Sequence, residues 1–323
     1  MFNFEGALLR SRRFYALPTL EDTTEDFLTG ELDGYVLRRG EYWTSYRLIG
    51  SDISPQGWKI HISSSPTDLD EVVTQTLAVI DEYRLHFKIV NTRDSYFLAN
   101  SKNANRTSAG KLITIYPDKA SFEKVVIALA SRLKPFDGPE ILTDLPGPVP
   151  CIHFRYGAFV PMVNADGEYC LLNDDGDLVP DRREVLDPVQ SPETDLKIVH
   201  EAVARLQSGR TLDVSNVTLV KQSNAGGIYR CTFDGKKAFL KLGRKFAGFD
   251  QDLNDGAFRV KNEHTQLSRL ISSGATPRVL ALTELATDVA LITEDLECLD
   301  LHQFKKATVS YTHLRAHETL RYL

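Results

Sequence analysis

Lys59 and His61 alternate with Trp58, Ile60 and Ile62 in the stretch Gly57-Trp-Lys-Ile-His-Ile-Ser-Ser-Ser-Pro66. On a strand, side chains two apart share a face, so the lysine and the imidazole emerge together. A fixed positive charge beside a titratable ring suits an anionic ligand that must also exchange a proton. The same pattern fits a half-exposed edge strand with two ordinary polar residues. Lys88 interrupts the apolar run His86-Phe-Lys-Ile-Val-Asn91, a second strand. A lysine there commonly snorkels to the surface. If it faces the pocket of Lys59 and His61, two cationic neighbours disfavour its ammonium form. The loop Asn100 to Lys111 carries Arg106, Thr107, Ser108 and Lys111. These are donors suited to phosphate, and a solvated loop with scattered charge accounts for them equally well. Arg155 stands among aromatics in His153 to Phe159.

The elements that must position these residues can be read from periodicity. Trp43 to Ile49 reads as a short strand, and Leu112 to Tyr116 as another. Ser65-Pro-Thr-Asp68 forms a turn and N-cap before a helix with Leu69, Val72, Val73, Thr76, Leu77 and Ile80 at helical spacing. Ala120 to Leu133 is amphipathic through Phe122, Val125, Val126, Leu129 and Leu133. Proline and glycine punctuate Pro135 to Pro150. Asn173-Asp-Asp-Gly-Asp177 reads as a turn, since the twelve-residue calcium pattern is missing. Val185 to Glu193 is a proline-punctuated seam, and Asp195 to Leu206 a helix joining two halves.

Beyond the seam, Val217 to Phe233 reads strand, glycine turn, strand, with Gly226 and Gly227 in the turn. Lys241 lies inside the apolar run Ala238 to Leu242. A charged helix from Phe258 to Ile271 contains Glu263, and Val289 to Asp295 is strand-like.

With 323 residues, 42% hydrophobic, the chain is long enough for two soluble domains. A net charge of -6 argues against a general nucleic-acid binder. Cys151, Cys170, Cys231 and Cys298 form no C-x-x-C pair, which points to a reducing compartment and no zinc ribbon. Without a signal-peptide core or an apolar run of spanning length, a cytoplasmic protein with no membrane partner is expected. His313 and His317 stand four apart, but a metal site there is disfavoured, and none is expected elsewhere.

Several of these motifs, in order, resemble the phosphothreonine lyases. Gly57-Trp-Lys-Ile-His, Gly110-Lys-Leu-Ile-Thr-Ile-Tyr-Pro, Gly138-Pro-Glu-Ile-Leu and Arg155-Tyr-Gly-Ala-Phe look like the N-terminal lyase domain of class III lanthionine synthetases. The resemblance implies that Lys88 removes the Cα proton of a phosphoserine or phosphothreonine and that His61 assists phosphate departure. It places Lys59, Arg106 and Arg155 on the phosphate, with Lys111 and Tyr116 in support. No cofactor is implied for this lyase.

The later segment resembles the N-lobe of a Ser/Thr protein kinase, with Gly226 and Gly227 over the phosphates and Lys241 paired to Glu263. Asn224 and Ala225 depart from the G-x-G-x-x-G pattern. No H-R-D-x-x-x-x-N or D-F-G follows, so a truncated lobe is expected, whose intact form would use ATP or GTP with magnesium. The expected architecture is α+β. A mixed α/β lyase-like domain occupies residues 1–190, a linker helix 191–213, the kinase N-lobe 214–307, and a tail foreign to the family 308–323. The implied partners are a precursor peptide, with leader and Ser/Thr/Cys core, and a nucleotide. A regulatory or phosphopeptide-binding domain fused to an ordinary kinase is the alternative.

Overall fold

A computed structural model describes residues 26–181, 196–208, 212–274 and 276–296. The first sheet contains β1 (Tyr35–Arg39), β2 (Trp43–Leu48), β3 (Gln56–Ile62), β4 (His86–Val90), β5 (Ile113–Tyr116), β6 (Leu145–Pro146) and β7 (Ile152–Ala158). Their spatial order is β1-β2-β4-β5-β3-β7-β6, and every pairing is antiparallel.

Two neighbouring rows across this sheet explain its two faces. One row runs Leu37, Tyr46, Phe87, Ile115, Ile60, Phe154, Leu145. It is apolar from end to end, and all but Leu37 are buried. The next row runs Arg38, Ser45, Lys88, Thr114, His61, His153, Pro146. Directly paired residues share a face and successive residues alternate, so the second row stands on the opposite side.

The apolar face is covered by α1 (Leu69–Tyr83) and α3 (Phe122–Leu133). Val72, Val73, Val79 and Ile80 of α1 meet Val125, Val126, Leu129 and Leu133 of α3 in the same core as Ile60, Ile62, Phe87 and Phe154. Each such side chain contributes roughly 1.5–3 kcal/mol on burial. This core makes the register expensive to shift, because a slip of one residue would drive Lys88 and His61 into it. A short helix, α2 (Arg93–Ala99), is capped by Thr92, whose hydroxyl accepts from Ser95 N. The expected joining helix is α4 (Lys197–Ser208), and its Ile198, Val199 and Ala202 belong to the first core. The expected turn at Asn173 is present, with its side chain accepting from Asp175 N and Asp177 N. The seam at Val185 to Glu193, residues 308–323, His313, His317 and Cys298 lie outside the described residues.

The second sheet is antiparallel, in the order β10 (Ser215–Ser223), β11 (Gly226–Phe233), β12 (Lys236–Arg244), β14 (Asp288–Glu294), β13 (Val279–Glu284). Helix α5 (Gly256–Leu270) packs on it, placing Ala257 and Val260 against Val289 and Leu291. Its N-cap is Asp255, accepting from Phe258 N. Strands β8 (Cys170–Leu172) and β9 (Leu178–Pro180) form a separate hairpin.

The halves are joined by backbone as well as side chains. Ser101 and Phe249 form a parallel bridge, and Lys102 N donates to Phe249 O at 2.9 Å. Asn100 O accepts from Gly248 N and Phe249 N. Buried Arg244 donates to Asn224 O and Oδ1 at 3.0 and 2.6 Å, and to Glu140 O of the first half.

Candidate active site

The polar row carries most of the first half's chemistry. Lys88 pairs with Thr114, and Thr114 pairs with His61, so one residue on one strand separates amine and imidazole. Paired strands lie roughly 5 Å apart, which leaves a gap of about 10 Å between the two backbones. Thr114 is buried, and its hydroxyl has no hydrogen-bond partner among the described residues. Lys59 pairs with Arg155 one register step along the same face. Beside them, Gly157 keeps the space above β7 open, since a Cβ there would stand 3.1 Å from Lys59 Nζ. Tyr116 pairs with His86 on this face, with its ring edge-on to Phe159 and the Arg47 guanidinium 5.1 Å above it.

His61 is buried, with Nδ1 bonded to Asp144 Oδ2. The other Asp144 oxygen accepts from Thr143 Oγ1 at 2.9 Å and faces Lys111 Nζ at 3.6 Å. Burial works to raise the Asp144 pKa, but Lys111 and then His61 hold it well below the usual carboxylate range. Burial pushes His61 down to about 3, outweighing the opposing pull of Asp144. The ring is therefore neutral: Nδ1–H donates to the carboxylate and Nε2 carries the lone pair. His153, paired with His61, is also buried, and burial lowers it to about 4. Its Nδ1 has no partner among the described residues.

Not every cation expected on the phosphate is gathered here. Arg155 donates to Thr143 O at 2.9 Å and meets Asp181 at 3.6 Å, on the Asp144 side. Lys111 donates to Thr107 O at 2.9 Å. Arg106 is exposed and turned to the second half, donating to Gln222 Oε1 at 2.9 Å. It would have to exchange that partner to reach a ligand on the sheet. Lys88 Nζ lies 4.4 Å from the Trp43 ring centre, a cation–π contact.

In the second half, Gly226, Gly227, Lys241 and Glu263 line one cleft of about 300 Å³. Lys241 Nζ is bonded to Glu263 Oε1 across β12 and α5. Gly226 has φ +135°, and a Cβ there would run into Leu242 O, so the hairpin itself requires glycine. No group of three metal-capable side chains occurs among the described residues. No helix among them is long and apolar enough to cross a membrane.

A family model described as RamC, N-terminal domain, matches residues 25–194, more than half of the 323 residues. The chain belongs to the RamC N-terminal domain family. A protein named probable SapB synthase, from Streptomyces coelicolor, is 32% identical over 291 residues. The match covers 84% of this chain and 30% of that relative, so the chain spans less than a third of its length. Among solved structures, the type III effector and phosphothreonine lyase OspF from Shigella flexneri has a TM-score of 0.32 at 14% identity, covering 47% of this chain and 87% of that one. The VirA (SpvC) phosphothreonine lyase effector of Chromobacterium violaceum has a TM-score of 0.31 at 15% identity, covering 46% and 74%. Both scores are too low to fix the chemistry of this site.

Proposed function

We propose that the first half is a phosphopeptide lyase acting in lanthipeptide biosynthesis on phosphoserine or phosphothreonine of a precursor peptide. The observation that carries this reading is the register Lys88–Thr114–His61, with Lys59 and Arg155 one step away on the same face. An amine on one side of a phosphorylated residue and an imidazole on the other suit an elimination. The Lys88 amine takes the Cα proton, those electrons form the Cα–Cβ double bond, and the Cβ–O bond breaks. Phosphate leaves with the proton of His61 Nε2, giving dehydroalanine or dehydrobutyrine.

Lys59 and Arg155 would hold the phosphate. The dianion would raise His61 toward its charged form, opposing the burial that keeps it neutral beforehand. Asp144 would fix the tautomer, so that Nε2 is the nitrogen presented. Lys88 must leave the Trp43 ring to act, because the ring face favours a cation.

We further propose that the second half is the nucleotide-binding lobe of a kinase that would phosphorylate the same peptide. The cleft with Lys241, Glu263 and the glycine turn supports it, and fits the polyphosphate of ATP or GTP. The alternative, a phosphopeptide-binding domain, draws on the neutral, buried His61 alone. Incubating the chain with a synthetic phosphoserine peptide separates the two. Elimination yields phosphate and an alkene, and Lys88→Ala abolishes both. Binding without turnover would select the alternative.

A further inference from the structure

We propose that the N-terminal half completes the nucleotide cleft, with Lys102 as a third lysine gripping the polyphosphate of a nucleoside triphosphate. The inference rests on reading the cleft as a nucleotide site. Lys102 and Asn103 come from the first half, yet they line the same cavity as Lys221, Gly226, Lys241 and Glu263.

Lys102 is not placed there by a loose loop. Its N–H donates to Phe249 O, and the preceding residue bridges Phe249 in parallel. Ser101 O also accepts from the buried Asn224 Nδ2 at 2.9 Å, immediately before the glycine turn. The turn and Lys102 are therefore anchored to one another through a single carbonyl. Gly248 and Gly256 seat the turn more tightly still, since a Cβ on either would collide with Ala225.

The charges converge as an anion site requires. Four cations line the cavity, Lys102, Lys221, Lys241 and Arg259, against one carboxylate, Glu263, already bonded to Lys241. The chain as a whole is acidic, at -6, so this local excess is not a reflection of composition. Arg259 gives its guanidinium to Gly248 O and Asn254 O at 2.6 and 2.7 Å, and meets Asp250 at 3.4 Å. Lys102 and Lys221 line the cavity beside it. Burial, then Arg259 and Lys221, hold Lys102 below the ordinary lysine range. A bound polyanion would relieve that repulsion. Ile228, Leu242 and Val260 line the same cavity and supply an apolar wall for a flat base. This mixed lining favours a nucleotide over a phosphopeptide.

The test is a fluorescence titration of the full chain with trinitrophenyl-ATP, comparing wild type, Lys102→Gln, Lys102→Arg and Lys241→Ala. Thermal melts of each variant would establish that folding is retained. Lys102→Gln is expected to weaken binding about tenfold, and Lys102→Arg to stay within about threefold. Wild-type affinity in Lys102→Gln, with Lys241→Ala impaired, overturns the inference while the cleft remains a nucleotide site. No saturable binding by the wild type removes both readings. Weakened binding of a phosphoserine peptide by Lys102→Gln, with nucleotide binding intact, would assign the cleft to the peptide and also overturn it.

Discussion

His61 and Asp144 are bonded Nδ1 to Oδ2 in a site that leaves their side chains 6% and 0% exposed. Lys111 reaches the other oxygen of the same carboxylate. One buried acid thus holds both the ring on the polar face of the sheet and the lysine that closes the loop above it. Asp144→Asn keeps the shape and removes the charge. It leaves Lys111 without its carboxylate and takes away the acceptor that selects the His61 tautomer. Breaking a buried pair in this way costs about 3 kcal/mol. Chemical denaturation should show a loss of that order, and phosphopeptide turnover should fall more than ten-fold. Unchanged turnover would mean that the His61 tautomer is irrelevant to the reaction.

Acid should destabilise the protein well before its exposed carboxylates titrate. His61 and His153 are held neutral when folded, at about 3 and about 4, against an ordinary value of 6.5. Below pH 6.5 the unfolded chain takes up protons at these positions that the folded chain refuses, so stability falls as pH falls through that window. Asp144 acts in the same direction at lower pH, because its depressed folded value contributes stability above the normal carboxylate range that is lost below it. Melting temperatures from pH 7 to pH 4 should decline, and His153→Gln should flatten the decline. An equal slope in wild type and variant would show that His153 titrates normally.

Trp43 opposes the role proposed for Lys88. Its ring favours the ammonium form, so Trp43→Leu should make the amine easier to deprotonate. The acidic limb of the kcat/KM profile for a phosphoserine peptide should move to lower pH. A shift to higher pH would contradict the assignment of that limb to Lys88.

Gly157 offers a way to disturb the proposed phosphate site without disturbing the fold. The neighbour met by an added Cβ is the end of the flexible Lys59 side chain, at 3.1 Å. Gly157→Ala should therefore cost under about 1 kcal/mol of stability and raise KM several-fold with little change in kcat. A melting temperature lowered by many degrees would place the clash in the backbone.

Arg244 makes a buried contact shared by both halves. Arg244→Met strands the carbonyls of Asn224 and Glu140, which received its hydrogen bonds. A loss of about 2–3 kcal/mol is expected, together with separation of the two halves into distinct unfolding steps. A single cooperative transition as stable as wild type would show that the remaining backbone bridges suffice.

The elements that carry Lys59, His61, Lys88 and Arg155 were legible because period-2 alternation and β-rich composition mark β3, β4 and β7 directly. The strand of Lys241 and the helix of Glu263 were legible as well, from an apolar run and a charged amphipathic stretch, whereas the cleft they line together with Lys102 depends on long-range packing. Register was not legible. That Lys88, Thr114 and His61 form one row follows from β5 inserting between β4 and β3, which only long-range packing decides. Asp144 escaped notice because it sits in a proline-rich and glycine-rich stretch that reads as punctuation, and its partner is 83 residues away. His153 was visible as a strand residue, but nothing local shows that it stands opposite His61. Arg106 reads as a phosphate donor from its loop, whereas its bond to Gln222 depends on how the two halves meet. Strand β1, Tyr-Val-Leu-Arg-Arg, has no apolar–polar alternation, and helix α2 is too short to have a readable period, although the Thr92 cap is a local sign of it.

The most direct test of the account is the fate of oxygen when the chain meets a phosphoserine peptide in heavy-oxygen water. Elimination breaks the Cβ–O bond, so the released phosphate should carry no solvent oxygen, the peptide should hold dehydroalanine, and Lys88→Ala should form neither product. Phosphate bearing one solvent oxygen beside regenerated serine, or a Lys88→Ala variant as fast as wild type, would contradict it.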